Sequence, residues 1–314
     1  MSAGFFEFPK SGRGKSLDAG YAVIDIETSG LSSKTSRVLE IAVVTLNKAG
    51  EFEDEISTLI NPGDGNVGPK HIHHISEAAI EEAPSFEEFS PLLKAYLSGR
   101  VAVAHNAIFE DSFLSSEFSR FEKSNLAIPC IDSLALTRKH LEAPNYKLGT
   151  VLEVLGIESE DDHTALGDAR SLSEVVSKLL DHTKNQVFGS FTKTFQLDEY
   201  TGRLRTRVTN LKKGKEGWMA GVLRKLPYSG LPIFDSVAEE YFGLLERFLK
   251  DGKLTEEEVR DLLKVAGDAG WGSSQIQEIH RTFFELLEKE ALKDGEIDKA
   301  ERKELDQVSQ LLHL

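Results

Sequence analysis

Between Tyr21 and Leu180, short β-branched runs alternate with stretches of helical period, and this alternation limits the fold more than any other feature of the chain. Val38–Leu46 (VLEIAVVTL) is the clearest strand. It lies between two further strand candidates, Tyr21–Ile26 and Glu51–Ile60, with Gly and Asn in the gaps, so the three read as a meander. Ser85–Leu97 has helical period, Val101–His105 reads as a strand, and Asn106–Phe121 as a helix. Ala127–Asp132 is a short strand, and Lys147–Leu155 and Ala165–Leu180 are helices. A meander followed by alternating elements predicts an α/β domain with a mixed sheet and flanking helices.

The rest of the chain reads differently. Residues 1–19, rich in Gly, Ser and Lys, are expected to be a flexible tail. Gly14-Lys15-Ser16 resembles the end of a phosphate-binding loop, but Pro9 stands where that loop requires glycine, which excludes it. Residues 20–183 form the α/β domain. Residues 184–234 are expected to be a basic, partly ordered linker, in which TGRLRTRVTN could pair as strands. Residues 235–314 form a small all-α domain with an internal repeat. LKDGKLTEEEV starts at Leu249 and LKDGEIDKAER starts at Leu292, 43 residues apart. Thr255 with Glu258, and Asp298 with Glu301, have the spacing of capping boxes. Each Asp-Gly is expected to end one helix and introduce the next, giving two related helical hairpins.

Charge and cysteine content narrow the classes. The net charge of −15 argues against a simple polyanion binder. From Gln186 to Phe234, however, nine Lys/Arg face three Asp/Glu, a local +6 that leaves −21 elsewhere. An acidic chain of this kind can meet nucleic acid through bound cations and a local basic segment. With Cys130 alone no intramolecular disulfide is possible. The N-terminus has no secretory pattern and no apolar run suits a membrane span, so the expectation is a cytoplasmic protein with no membrane partner.

Three acidic sites stand out. Asp25 and Glu27 are two apart on a strand and share a face, at the end of an apolar run. Two adjacent anions there repel and lose hydration, and a divalent cation would offset both costs. A solvated strand end is the plain alternative. Glu110 falls near the centre of a helical face formed by Phe109, Phe113, Leu114, Phe118 and Phe121; Asp111 falls at its edge, and Glu117 lies further along. Asp168 starts the stripe Leu172, Val175, Val176, Leu179 that packs on the sheet. His163 precedes that helix, where an imidazole titrating near neutrality suits proton abstraction from water. Oxygen ligands select hard ions such as Mg²⁺ or Mn²⁺.

Asp25-Ile-Glu27-Thr-Ser-Gly-Leu31, Ala104-His-Asn-Ala-Ile-Phe-Glu110 and His163-Thr-Ala-Leu-Gly-Asp168 resemble the three motifs of the DEDD exonuclease superfamily, in its histidine-containing branch. That branch includes the proofreading epsilon subunit of bacterial DNA polymerase III. VLEIAVV, HIHHISEAAIEEAPSF, CIDSLAL and YKLGTVLEVLGI extend the likeness over about 19–180. The resemblance implies a ribonuclease H-like sheet, two divalent ions held by Asp25, Glu27, Glu110 and Asp168, and His163 as general base. It also places Thr28, Leu31 and Glu40 at the terminal nucleotide. Two departures stand out. Glu110 occupies a position where the family usually has aspartate, leaving Asp111 open as a shifted ligand. His74 occupies a position where the family often has glycine. The C-terminal repeat resembles the TerB-like helical domain of tellurite-resistance and stress proteins, which implies a structural or partner-binding role. Calcium at the Asp-Gly turns is the lesser alternative, because the alternating oxygen ligands of an EF-hand are absent.

The resulting expectation is a metal-dependent 3′–5′ exonuclease acting on DNA 3′ ends in proofreading, repair or turnover, with a polymerase or stress-complex partner for the helical domain. An RNA-trimming exonuclease is the alternative within enzymes, because the motifs read metal and phosphate rather than the 2′ position. A nucleic-acid or stress-complex adaptor with a weakened site is the alternative outside them.

Overall fold

The computed structural model describes residues 4–10, 15–68, 70–122, 126–158, 164–195, 200, 202–206, 219, 222–223, 226, 236–249, 254–294 and 297–314. The chain divides into two compact units. One comprises residues 1–142 and 147–209, the other residues 143–146 and 210–314.

The first unit carries strands β1 (Phe6–Glu7), β2 (Lys15–Ser16), β3 (Gly20–Thr28), β4 (Val38–Leu46), β5 (Phe52–Leu59), β6 (Arg100–Ala104), β7 (Ile128–Asp132) and β8 (Val187–Phe188). Its helices are α1 (Lys70–His73), α2 (Glu77–Ile80), α3 (Phe86–Leu97), α4 (Ala107–Ser119), α5 (Ser133–His140), α6 (Leu148–Leu155), α7 (Ala165–Lys178) and α8 (Leu180–Lys184). The six-stranded sheet has the order β1-β7-β6-β3-β4-β5. β3, β4 and β5 form the antiparallel meander, and β3, β6, β7 and β1 run parallel. The sheet is therefore mixed, as the strand pattern predicts.

Strand alternation sorts the side chains of β3 between two layers. Ala22, Ile24 and Ile26 join Phe86, Phe89, Leu93, Phe113 and Leu114 in one apolar cluster, so α3 and α4 cover that face. Asp25 and Glu27 lie on the opposite face, where α7 packs on β3 and β4. β4 is buried along its whole length, which explains its nearly continuous apolar sequence.

The expected loose tail needs correction. Phe5 and Phe6 are buried in the core, and Phe6–Glu7 adds the outermost parallel strand to β7. The apolar sequence Gly-Phe-Phe-Glu-Phe supplies the reason, since a buried aromatic ring offsets the entropy of ordering a short segment. The expected linker is likewise built in part into the folded units. β8 pairs with β2, Phe195 packs on the core, and Arg205 exchanges backbone and hydroxyl contacts with Thr58 and Leu59. Residues 202–206 are not in a strand, and the rest of the segment expected to pair as strands lies outside the described residues. Met219, Val222, Leu223 and Leu226 are buried. Lys212, Lys213 and Lys215 lie outside the described residues.

The second unit is helical over Ser236–Leu249, Glu256–Asp268, Ser273–Ala291 and Lys299–Leu311. Both expected capping boxes form, Thr255 with Glu258 and Asp298 with Glu301. Phe242 and Phe283 meet edge to face inside it, and Asn145 donates to the Leu226 carbonyl at 3.0 Å. Asp251-Gly252 and Gly295 lie outside the described residues. Among the described residues no helix is long and apolar enough to cross a membrane.

Candidate metal centre

Asp25, Glu27 and Asp168 meet: each offers one carboxylate oxygen, and these oxygens lie within 4.8 Å of one another. Backbone geometry brings them together. Glu27 sits directly across from Glu40 on β4, and a bulge follows, so Thr28 pairs with Val38. Bulges of this kind re-aim side chains at the ends of strands. Asp168 comes from the first turn of α7, which Thr164 starts by accepting the Gly167 N–H on Oγ1 at 3.0 Å. The Asp168 N–H in turn donates to the Thr164 carbonyl at 3.0 Å.

Such a trio is costly without a cation. Burial pushes the Asp25 carboxyl well above its ordinary value, and the negative charges of Asp168, Glu110, Glu27 and Glu40 push it further. A bound cation reverses both effects.

Glu110 approaches from the other layer. It lies in the first turn of α4 at 4% exposure, and its Oε2 is buried with no hydrogen-bond partner. Burial raises its pKa well above the ordinary value, with the Asp132 charge adding to the shift. Among the described residues it is not one of the three carboxylates that converge. Its charge nonetheless reaches Asp25. A partnerless buried oxygen beside three converging carboxylates fits a hard cation with oxygen ligands. Asp111 is committed elsewhere: its Oδ1 accepts the Phe6 N–H at 2.7 Å.

The remaining residues singled out by sequence divide. Thr28 Oγ1 donates to the Gly30 carbonyl at 2.7 Å, at the start of the loop that carries half-buried Leu31. Glu40, which the family resemblance places at the nucleotide, is buried at 1% exposure, and its Oε2 accepts the Ala165 N–H at 3.1 Å. Glu40 thus braces the start of the helix that carries Asp168. His163 lies outside the described residues, one residue before the N-cap Thr164. His74 has φ +57°, in the left-handed region that favours glycine.

Asp132 is a residue that sequence reasoning missed. Its Oδ1 accepts from the N–H groups of Asn106 at 3.2 Å, Ala107 at 3.4 Å and Leu134 at 3.0 Å, fastening the starts of α4 and α5 together. This matters because Asn106, at φ +69°, provides no side-chain cap for α4. An aspartate at a strand end before a helical run was the available signal.

Residues 22–176 match the RNase_T family model, described as "Exonuclease". This span is similar to the exonucleases that the family model describes. It contains all three acidic motifs. The chain is similar to the PolC-type DNA polymerase III of Thermotoga maritima, 27% identical over 310 residues, covering 94% of this chain and 22% of that protein. It is also similar to the PolC-type DNA polymerase III of Clostridium perfringens, 33% identical over 169 residues, covering 53% of this chain and 12% of that protein. The chain therefore spans less than a quarter of the length of these curated relatives. Among solved structures, the nuclease domain of 3′hExo, a DEDDh family member bound to rAMP, aligns with a TM-score of 0.48 at 16% identity, covering 57% of this chain and all of that one.

Proposed function

We propose that the protein is a 3′–5′ exonuclease that hydrolyses the terminal phosphodiester of DNA and releases 5′-monophosphates. The observation that carries this reading is the convergence of Asp25, Glu27 and Asp168 within the span that matches the exonuclease family model. Glu110 is the fourth ligand, on the strength of its buried, partnerless oxygen. Divalent ions, Mg²⁺ or Mn²⁺, held by these carboxylates supply positive charge to the scissile phosphate and the departing oxygen.

His163 takes the proton of the attacking water, a role that its place in the sequence just before α7 and the chemistry of an imidazole both suit. The water oxygen then bonds to phosphorus, and the 3′ oxygen of the preceding nucleotide leaves. Thr28 and Leu31 line the place of the terminal nucleotide, at the mouth of the loop after the first acidic pair. We read the C-terminal helices as a TerB-like partner-binding unit, with a polymerase or a stress complex as its partner, and the protein as cytoplasmic.

Incubating the purified chain with 3′-labelled single-stranded DNA and matching RNA, in Mg²⁺, Mn²⁺ or EDTA, tests this reading. The expected result is stepwise loss of DNA 3′ nucleotides that EDTA abolishes and that His163→Ala reduces at least ~100-fold. No cleavage of either polymer with either metal overturns it, and cleavage of RNA alone reassigns the substrate.

A further inference from the structure

The loop between Thr28 and Val38 follows the first acidic pair and carries Leu31. Its neck is closed by two bonds between Ser29 and Arg37. The Ser29 N–H donates to the Arg37 carbonyl, and the Arg37 N–H donates to Ser29 Oγ, each at 2.9 Å. The Arg37 side chain then leaves the loop. Its Nε and Nη2 donate to the two oxygens of Glu117 at 2.7 and 2.8 Å, and its Nη1 donates to the Pro62 carbonyl at 2.6 Å. Each nitrogen of the guanidinium thus has a protein acceptor.

Glu117 belongs to α4, two turns beyond Glu110, and its side chain is 2% exposed. It also accepts the Val38 N–H at 3.2 Å, and the Arg120 Nε lies 3.5 Å from Oε2. A second tether joins the same helix to the loop: Ser116 Oγ donates to the Ser33 carbonyl at 2.8 Å. From the other side Gly68, at φ +64°, presses on the loop so closely that a Cβ there would meet the Ser29 carbonyl oxygen at 1.9 Å.

We infer that Arg37 and Glu117 are positioning residues that lock the 29–36 loop to the helix bearing Glu110, and so set where Leu31 and Thr28 meet the 3′-terminal nucleotide. The inference rests on the exonuclease reading. A bidentate guanidinium–carboxylate pair fixes orientation as well as distance, which lysine cannot reproduce. With Glu117 buried and Arg37 partly so, the pair holds the loop in one geometry before substrate arrives, and pre-ordering of this kind favours productive binding.

Steady-state kinetics on two substrates tests the lock. A single-stranded oligonucleotide presents a terminal base and sugar, whereas bis(p-nitrophenyl) phosphate presents only a phosphodiester. Arg37→Ala should raise KM for the oligonucleotide about tenfold, with kcat within about twofold and the rate on the small ester unchanged. Arg37→Lys should not restore it. Ser116→Ala removes the second tether without exposing a buried charge and should give a smaller rise of the same kind, which serves where Arg37→Ala fails to fold. An active wild type whose variants keep the oligonucleotide KM, or lose both substrates in parallel, overturns the positioning role and leaves the exonuclease reading standing. A wild type that cleaves neither substrate overturns both.

Discussion

The Asp111 carboxylate accepts the Phe6 backbone N–H at 2.7 Å, so it ties the first strand of the chain to α4, while its neighbour Glu110 keeps a buried oxygen without a partner. The two adjacent acids therefore do different work. Asp111→Ala should lower stability by about 1–3 kcal/mol through the lost backbone bond, with nuclease activity retained. Glu110→Ala should reduce cleavage by roughly a hundredfold or more, since even residues behind a metal ligand contribute 10–100-fold. Denaturant melts beside nuclease assays of both variants check the pair; an inactive Asp111→Ala and an active Glu110→Ala would reverse the assignment.

Asp25 gives a pH dependence with a definite sign. Its folded-state pKa is raised, so between the ordinary value and the raised one the folded protein holds more protons than the unfolded chain. This group's contribution to metal-free stability is therefore full at low pH and is lost as pH rises through that window. In EDTA, Asp25→Asn should melt several degrees above wild type at pH 7, and the gap should close toward pH 4. Added Mg²⁺ should stabilise wild type more at pH 8 than at pH 5. Thermal melts across pH, with and without metal, read both effects, and a constant difference between the two proteins would refute the account.

Glu40→Ala leaves the buried Ala165 N–H at the start of α7 without its acceptor. The expected cost is about 1–3 kcal/mol. Because α7 carries Asp168, the variant should also need more Mg²⁺ for half-maximal cleavage. Glu40→Gln keeps an acceptor at that place and should lose less on both measures. Urea unfolding and a Mg²⁺ titration of activity decide it, and an unchanged metal requirement in Glu40→Ala would remove Glu40 from the support of the site.

His74→Gly should raise stability by about 1 kcal/mol, since the left-handed conformation costs a side chain more than it costs glycine. Thermal unfolding would show it as a higher Tm. A lower Tm would mean that the contacts of the His74 ring outweigh its backbone strain.

Much of the site was legible because it rests on local periodicity. The two-residue spacing of Asp25 and Glu27 on a strand put both on one face, and the helical angle chose Glu110 over Asp111 for the buried position. The spacing of Thr255 with Glu258 and of Asp298 with Glu301 gave the caps. Phe5 and Phe6 were misread because their burial depends on a parallel partner, β7, more than a hundred residues away, and no local period marks a short parallel edge strand. The contact of Glu40 with the first residue of α7 was not legible either, because the two are 125 residues apart in the chain.

The amino-acid sequence by itself determined the elements, the meander, and the identity of the acids, because each depends on side-chain alternation within a few residues. Tertiary structure decided which acids converge. β3 offers Asp25 and Glu27 to the α7 layer, where Asp168 joins them, while Glu110 comes from α4 and its charge reaches Asp25. Tertiary structure also gave Glu40, Asp132, Arg37 and Glu117 their roles as braces, because a buried carboxylate or guanidinium takes its meaning from the partner that satisfies it, and those partners are distant in the chain.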